Sequence, residues 1–148
     1  MAQISVQAGD FNISDEIDAL KGGRTDMGAI VTFTGTVRDV TGELNAMTLE
    51  HYPGMTEAEL ARVAEEAEAR WPLVGCRVIH RYGRLEPGDN IVLVITMSAH
   101  RHAAFDAANF LMDFLKSRAP FWKNEETGAG SGWVDARESD HAALKRWD

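Results

Sequence analysis

Cysteine is nearly absent from the sequence: Cys76 is the only one among 148 residues, so no intrachain disulfide can form, and a reducing compartment suits the chain. Long apolar runs are missing too. The longest, residues 91–95, is far too short to span a bilayer. The first residues, MAQISVQAGD, show neither a basic segment nor an apolar one, so a signal peptide is not expected and the chain reads as cytoplasmic. Positive charge is scarce overall. Fifteen Lys and Arg stand against 23 Asp and Glu, a net charge of −8, which argues against the broad basic face of a nucleic-acid binder. No Walker loop or dinucleotide fingerprint occurs. His100 and His102 are two apart, off a common helical face, and no Cys/His set supports a zinc site. No internal repeat or linker breaks the chain, and residues 1–148 read as one domain long enough to bury a core.

Against that acidic background one stretch stands out, SAHRHAAFDAANFLMDFLKSRAPFWK, residues 98–123. It opens a helix with His100, Arg101 and His102, where the free N–H groups and the dipole favour negative charge. Cations at that position suggest an anionic ligand. Toward the far end stand Lys116, and then Lys123 after a Pro-aromatic turn. Two readings of Lys116 stay open. It is either a solvated lysine paired with Asp113 three residues earlier, or an activated lysine held beside the cations of the turn, able to serve as nucleophile or base. Lys123 either snorkels over Phe121 and Trp122 or faces an anion shared with Lys116. Arg38 ends an alternating strand and is either a surface residue or a reach into the same site. Cys76 lies in a predicted strand and reads as buried rather than nucleophilic.

The remaining pattern mixes strands and helices without a strict βαβ rhythm, which indicates an α+β fold. Residues 2–7 alternate as an edge strand. Ser14 caps a short helix stopped by Gly22 and Gly23. Residues 28–38 form a strand with Val31, Phe33, Gly35 and Val37 on one face, and a second strand follows at 44–52. Thr56 and Glu59 read as a capping box for a helix burying Leu60, Val63, Ala64 and Ala67, which Pro72 ends. A strand at 76–82, a turn at Pro87, Gly88 and Asp89, and a central strand at 91–97 come next. Residues 121–126 and 133–137 make a hairpin around a Gly-rich segment, 128–132, the candidate mobile loop. Ser139 caps a last helix ending at Trp147.

The segments GAIVTFTGTVRDV, LEHYPGMTEAEL, RWPL, VIHRYGRLEPGD, SAHRHAAF, FLKSRAPFWK and WVDARESD stand in the order of a known family. Through them the chain resembles the MoaE family, the large catalytic subunits of molybdopterin synthase. The resemblance implies an α/β hammerhead with an additional small antiparallel sheet. It implies sulfur transfer to cyclic pyranopterin monophosphate (precursor Z) from a small ubiquitin-like partner whose C-terminal Gly-Gly ends in a thiocarboxylate. It also implies a homodimer within a heterotetramer, with no metal or organic cofactor, no nucleic acid and no membrane. It assigns catalysis to Lys116 and Lys123. Substrate binding falls to these two with Phe33, Thr36, Val37, Arg38, His100, Arg101, Asn124, Glu125 and Arg137, the last either from its own chain or from across the dimer. Two other readings of the residues remain beside it: a lysine-dependent enzyme acting on another phosphorylated substrate, and a non-catalytic dock for a ubiquitin-like protein.

Overall fold

The computed structural model describes residues 2–128, 130–134 and 142–148, the last strand residue, Val134, by its backbone alone. Two four-stranded sheets organise it. In chain order the elements are β1 (Gln3–Gln7), α1 (Ile13–Lys21), β2 (Ala29–Thr36), β3 (Leu44–His51), α2 (Met55–Arg70), β4 (Leu73–Arg81), β5 (Gly83–Leu85), β6 (Asn90–Ser98), α3 (Arg101–Ser117), β7 (Phe121–Thr127) and β8 (Gly130–Val134). The first sheet runs β1-β4-β6-β2, with β1 parallel to β4 and the other pairs antiparallel. The second runs β5-β3-β7-β8 and is antiparallel throughout. This is the expected α+β class with its additional sheet.

Burial explains the first sheet. β6 is apolar on both faces because both are covered. Val92 and Val94 pack with Leu60 and Val63 of α2 and with Leu111 and Phe114 of α3. Leu93, Ile95 and Met97 face the other way, against Ile13, Ile17 and Leu20 of α1. The continuous apolar run therefore marks a strand buried on both sides. A smaller core of Val37, Met47, Leu49 and Leu85 lies under the second sheet.

Local details depart from expectation where a neighbour takes the backbone. α1 is capped by Asn12, whose side chain accepts from the N–H of Asp15, and not by Ser14. The N-cap of α2 is Gly54, and the Glu57 carboxylate accepts from the Gly54 N–H. Thr56 and Glu59 form no capping box: Glu59 pairs with Arg62, and Thr56 is fully buried in a different role. β2 stops at Thr36 rather than Arg38 because Val37 leaves the ladder. Its N–H donates to the Asp89 carbonyl at 2.9 Å and its carbonyl accepts from Gly88 at 2.8 Å. Gly130, Ser131 and Gly132, expected in a mobile loop, belong to β8 and pair with β7. Residues 135–137 of the predicted hairpin arm, and the Ser139 cap, lie outside the described residues. The described end of the chain holds a short 3-10 turn, Lys145–Trp147.

Candidate active site

A cavity of about 530 Å³ opens where the end of α3, the end of β2 and the inner face of the second sheet meet. Each wall follows from strand or helix phase. On β7, Phe121, Lys123 and Glu125 alternate onto one face and line the cavity. Opposite them in register on β3 are His51, Leu49 and Met47, the last two also in the wall. From the last turns of α3 come Met112, Leu115 and Lys116. From β2 come Phe33 and Gly35, and past the register shift at Gly35/Thr36 come Thr36, Val37 and Arg38. Gly35 has to be small, since a Cβ there would stand 2.8 Å from Cγ1 of Val92.

The two lysines are brought together by a tied turn. The Thr56 hydroxyl donates to the Pro120 carbonyl at 3.2 Å and accepts from the Tyr52 N–H at 3.1 Å. That one side chain links the end of β3, the start of α2 and the turn between α3 and β7, so Lys116 and Lys123 are held in a common wall. The i−3 partner expected for Lys116 is engaged elsewhere: Asp113 accepts from Trp147 Nε1 at 2.6 Å and pairs with Arg146 at 3.2 Å.

Two titratable groups of β4 are set by burial. Cys76 is fully buried, and desolvation pushes its thiol up to about 12, so it is an inert core residue as the sequence suggested. His80, in the cavity wall, was not singled out from the sequence. Burial, with Lys123, Lys116 and His51 adding repulsion against a backbone hydrogen bond that opposes it, pushes its imidazole down from 6.5 to about 4. The signal was there, in a histidine directly after the buried apolar pair Val78 and Ile79.

Of the residues expected at the site, Phe33, Thr36, Val37, Arg38, Lys116, Lys123 and Glu125 line this cavity. Asn124 does not: strand alternation turns it to the opposite face of β7 from Lys123 and Glu125. His100 and Arg101 do not either. They are exposed at the N-terminus of α3, where Arg101 is fifteen residues from Lys116, a separation of about 22 Å along the helix. The His100 side chain does not cap the helix and no acidic residue occupies its first turn. Arg137 lies outside the described residues. Among the described residues no group of three His, Cys, Asp or Glu is set to hold a metal ion, and no helix is long and apolar enough to cross a membrane.

Comparison with known proteins meets this geometry. The model of the family described as MoaE protein matches residues 6–118. A molybdopterin synthase catalytic subunit from Mesorhizobium japonicum is 60% identical over 146 residues, which are 97% of this chain and 92% of that one. The solved structure of a molybdopterin biosynthesis MoaE protein from Burkholderia ambifaria superposes with a TM-score of 0.86 at 50% identity, covering 99% of this chain and 98% of that one. A molybdopterin synthase structure from Staphylococcus aureus gives 0.83 at 30% identity, covering 91% and 98%. With the family model spanning β2, β3 and Lys116, and with such relatives along nearly its whole length, the chain belongs to the MoaE family.

Proposed function

We propose that this chain is the catalytic subunit of molybdopterin synthase, acting as a single domain over residues 1–148. In this reading its cavity transfers sulfur from the C-terminal thiocarboxylate of a small ubiquitin-like partner to precursor Z, forming the dithiolene of molybdopterin. The observation that carries the reading is the joining of Lys116, Lys123 and Arg38 in one cavity of an acidic protein. Both reactants are anions, one a cyclic phosphate and the other a thiocarboxylate. Arg38 offers a planar fork for the phosphate. The two lysines stabilise charge that develops on sulfur and oxygen as bonds exchange. A dock for one carboxylate has no use for three cations around a cavity of this size. A cytoplasmic setting accompanies the reading, since a thiocarboxylate and a lone thiol suit a reducing compartment.

His100 and Arg101 take part in this reading only from a second copy of the chain, because α3 holds them away from their own Lys116. Two copies paired so that one contributes the helix start and the other the cavity complete the anion site. A small subunit on each then gives a heterotetramer. Arg137 is assigned to the substrate on the same footing, and Asn124 supports the site from the outer face of β7.

The test is reconstitution. The protein, precursor Z and a thiocarboxylated partner yield molybdopterin, and Lys116→Ala lowers the rate by about 10²–10⁴-fold while its melting transition stays in place. Full activity in that variant removes Lys116 from the chemistry.

A further inference from the structure

We infer that His80 is the base of the hydrolytic half of the reaction, its Nε2 taking a proton from the water that cleaves the acyl–sulfur bond. The inference rests on the sulfur-transfer reading above.

The geometry leaves His80 one task. It is 7% exposed, in the cavity wall that carries Lys116 and Lys123. Its ring lies flat on Phe121, centroids 3.7 Å apart and planes 17° apart, so it does not rotate freely. Nδ1 is 2.9 Å from the Arg81 carbonyl, which can only accept, so Nδ1 carries the proton and Nε2 the lone pair. Nε2 has no partner among the described residues, and no buried side-chain nitrogen or oxygen among them lacks one. Nε2 therefore opens on the cavity that the residue lines.

The charges around it keep the ring an acceptor. Lys116 comes from α3, Lys123 and Glu125 from β7, and Arg38 from the end of β2. His51 of β3 stands behind Phe121, 3.6 Å from Glu57. Burial is the largest cause; it and the smaller repulsion from the lysines outweigh the opposing backbone hydrogen bond to Arg81, and the imidazole is neutral near pH 7. Glu125 is the carboxylate in the wall, but an anion competes with the substrates for the lysines. A neutral imidazole does not. When phosphate and thiocarboxylate bind, their charges offset the lysines and the imidazole becomes more basic. The base strengthens once the reactants are in place.

The chemistry requires such a group. The thiocarboxylate sulfur bonds to an oxygen-bearing carbon of the substrate; the carbon–oxygen bond that breaks leaves its electron pair on oxygen, which takes a proton from solvent and departs as water, so that a thioester joins partner and substrate. Sulfur stays with the substrate only when the acyl carbon gains another bond. Water oxygen adds to that carbon while one water proton passes to Nε2 of His80. The carbon–sulfur bond breaks, sulfur keeps the electron pair as a thiolate opposite a lysine, and the partner departs as a carboxylate after losing its second proton to solvent. The imidazolium returns its proton to solvent. No electron is gained or lost.

Single-turnover reactions with thiocarboxylated partner and precursor Z, followed by intact mass, separate the two halves. His80→Gln keeps a polar side chain but no base. It is expected to form the partner–substrate adduct within about threefold of the wild-type rate and to hydrolyse it about 100-fold more slowly or worse. Hydrolysis of adduct in the unmodified protein is expected to slow as pH falls through one ionisation lying above 4, because protonation removes the base. Equal loss of both halves in His80→Gln makes the residue structural and overturns the proposal. So does hydrolysis at the wild-type rate in the variant, or a wild-type hydrolysis phase indifferent to acid, a measurement that needs no variant to fold. A wild-type protein giving neither adduct nor product removes the sulfur-transfer reading itself, and the proposal with it.

Discussion

Asp113 decides how Lys116 is used. Local spacing offered it as the partner of that lysine, three residues away on the same helix. The fold instead gives its carboxylate to Trp147 and Arg146, more than thirty residues later. Helical spacing carries no information about such a contact, so the choice between a surface lysine and a site lysine was not legible from the chain alone. Asn124 shows the opposite case. Once Lys123 is placed in the cavity, a period of two sends Asn124 away and brings Glu125 back, so the parity was readable and only the strand's phase was missing. Because Asp113 anchors the chain's end rather than Lys116, Asp113→Ala is expected to cost about 1–3 kcal/mol of stability while sulfur transfer stays within about twofold. Urea unfolding and the reconstituted assay check the two halves. A large loss of activity at unchanged stability would return Asp113 to the site.

At the scale of elements, periodicity and punctuation located nearly every strand and helix, because each burial pattern is written locally. The run at 91–97 looked central and is, with Leu93 and Val94 both buried. Caps and pairings were harder. Thr56 resembles half a capping box by spacing, yet it is 0% exposed and joins Tyr52 to Pro120. Its second partner lies 64 residues away, and no window around residue 56 reveals it. β5, three residues long, was missed for the same reason, since it exists by pairing with β3. Thr56 is thus a hinge pin for the lysines. Thr56→Val, similar in volume but without the hydroxyl, leaves the Tyr52 N–H and the Pro120 carbonyl without that partner. It should cost about 1–3 kcal/mol and lower activity beyond what unfolding explains, because the turn between Lys116 and Lys123 loosens. Thr56→Ser keeps both hydrogen bonds and should stay near wild type in both assays. Equal activity in Val and Ser variants, corrected for folded fraction, would deny the turn its positioning role.

At the scale of the whole molecule, one straight helix creates the requirement for a second copy. α3 runs from Arg101 to Ser117 with the predicted anion-binding pair at its start and the predicted catalytic lysine at its end. The sequence showed both ends as cationic and invited a single pocket, but a rigid helix cannot fold back on itself, and its rise of roughly 1.5 Å per residue keeps the ends about 22 Å apart. If both ends serve one substrate, they come from different copies. Mixing tests this directly. Protein carrying His100→Ala and Arg101→Ala lacks the anion pair, and protein carrying Lys116→Ala lacks the lysine. Each alone should be nearly inactive. After dissociation and random re-pairing, about half the dimers are mixed, and each mixed dimer holds one cavity with its own Lys116 facing an intact helix start from the other copy, so about a quarter of the sites regain activity. A site contained within one chain regains none, because every chain in the mixture carries a defect. The ratio of recovered to wild-type rate, measured at saturating partner and substrate, therefore separates a shared site from a private one.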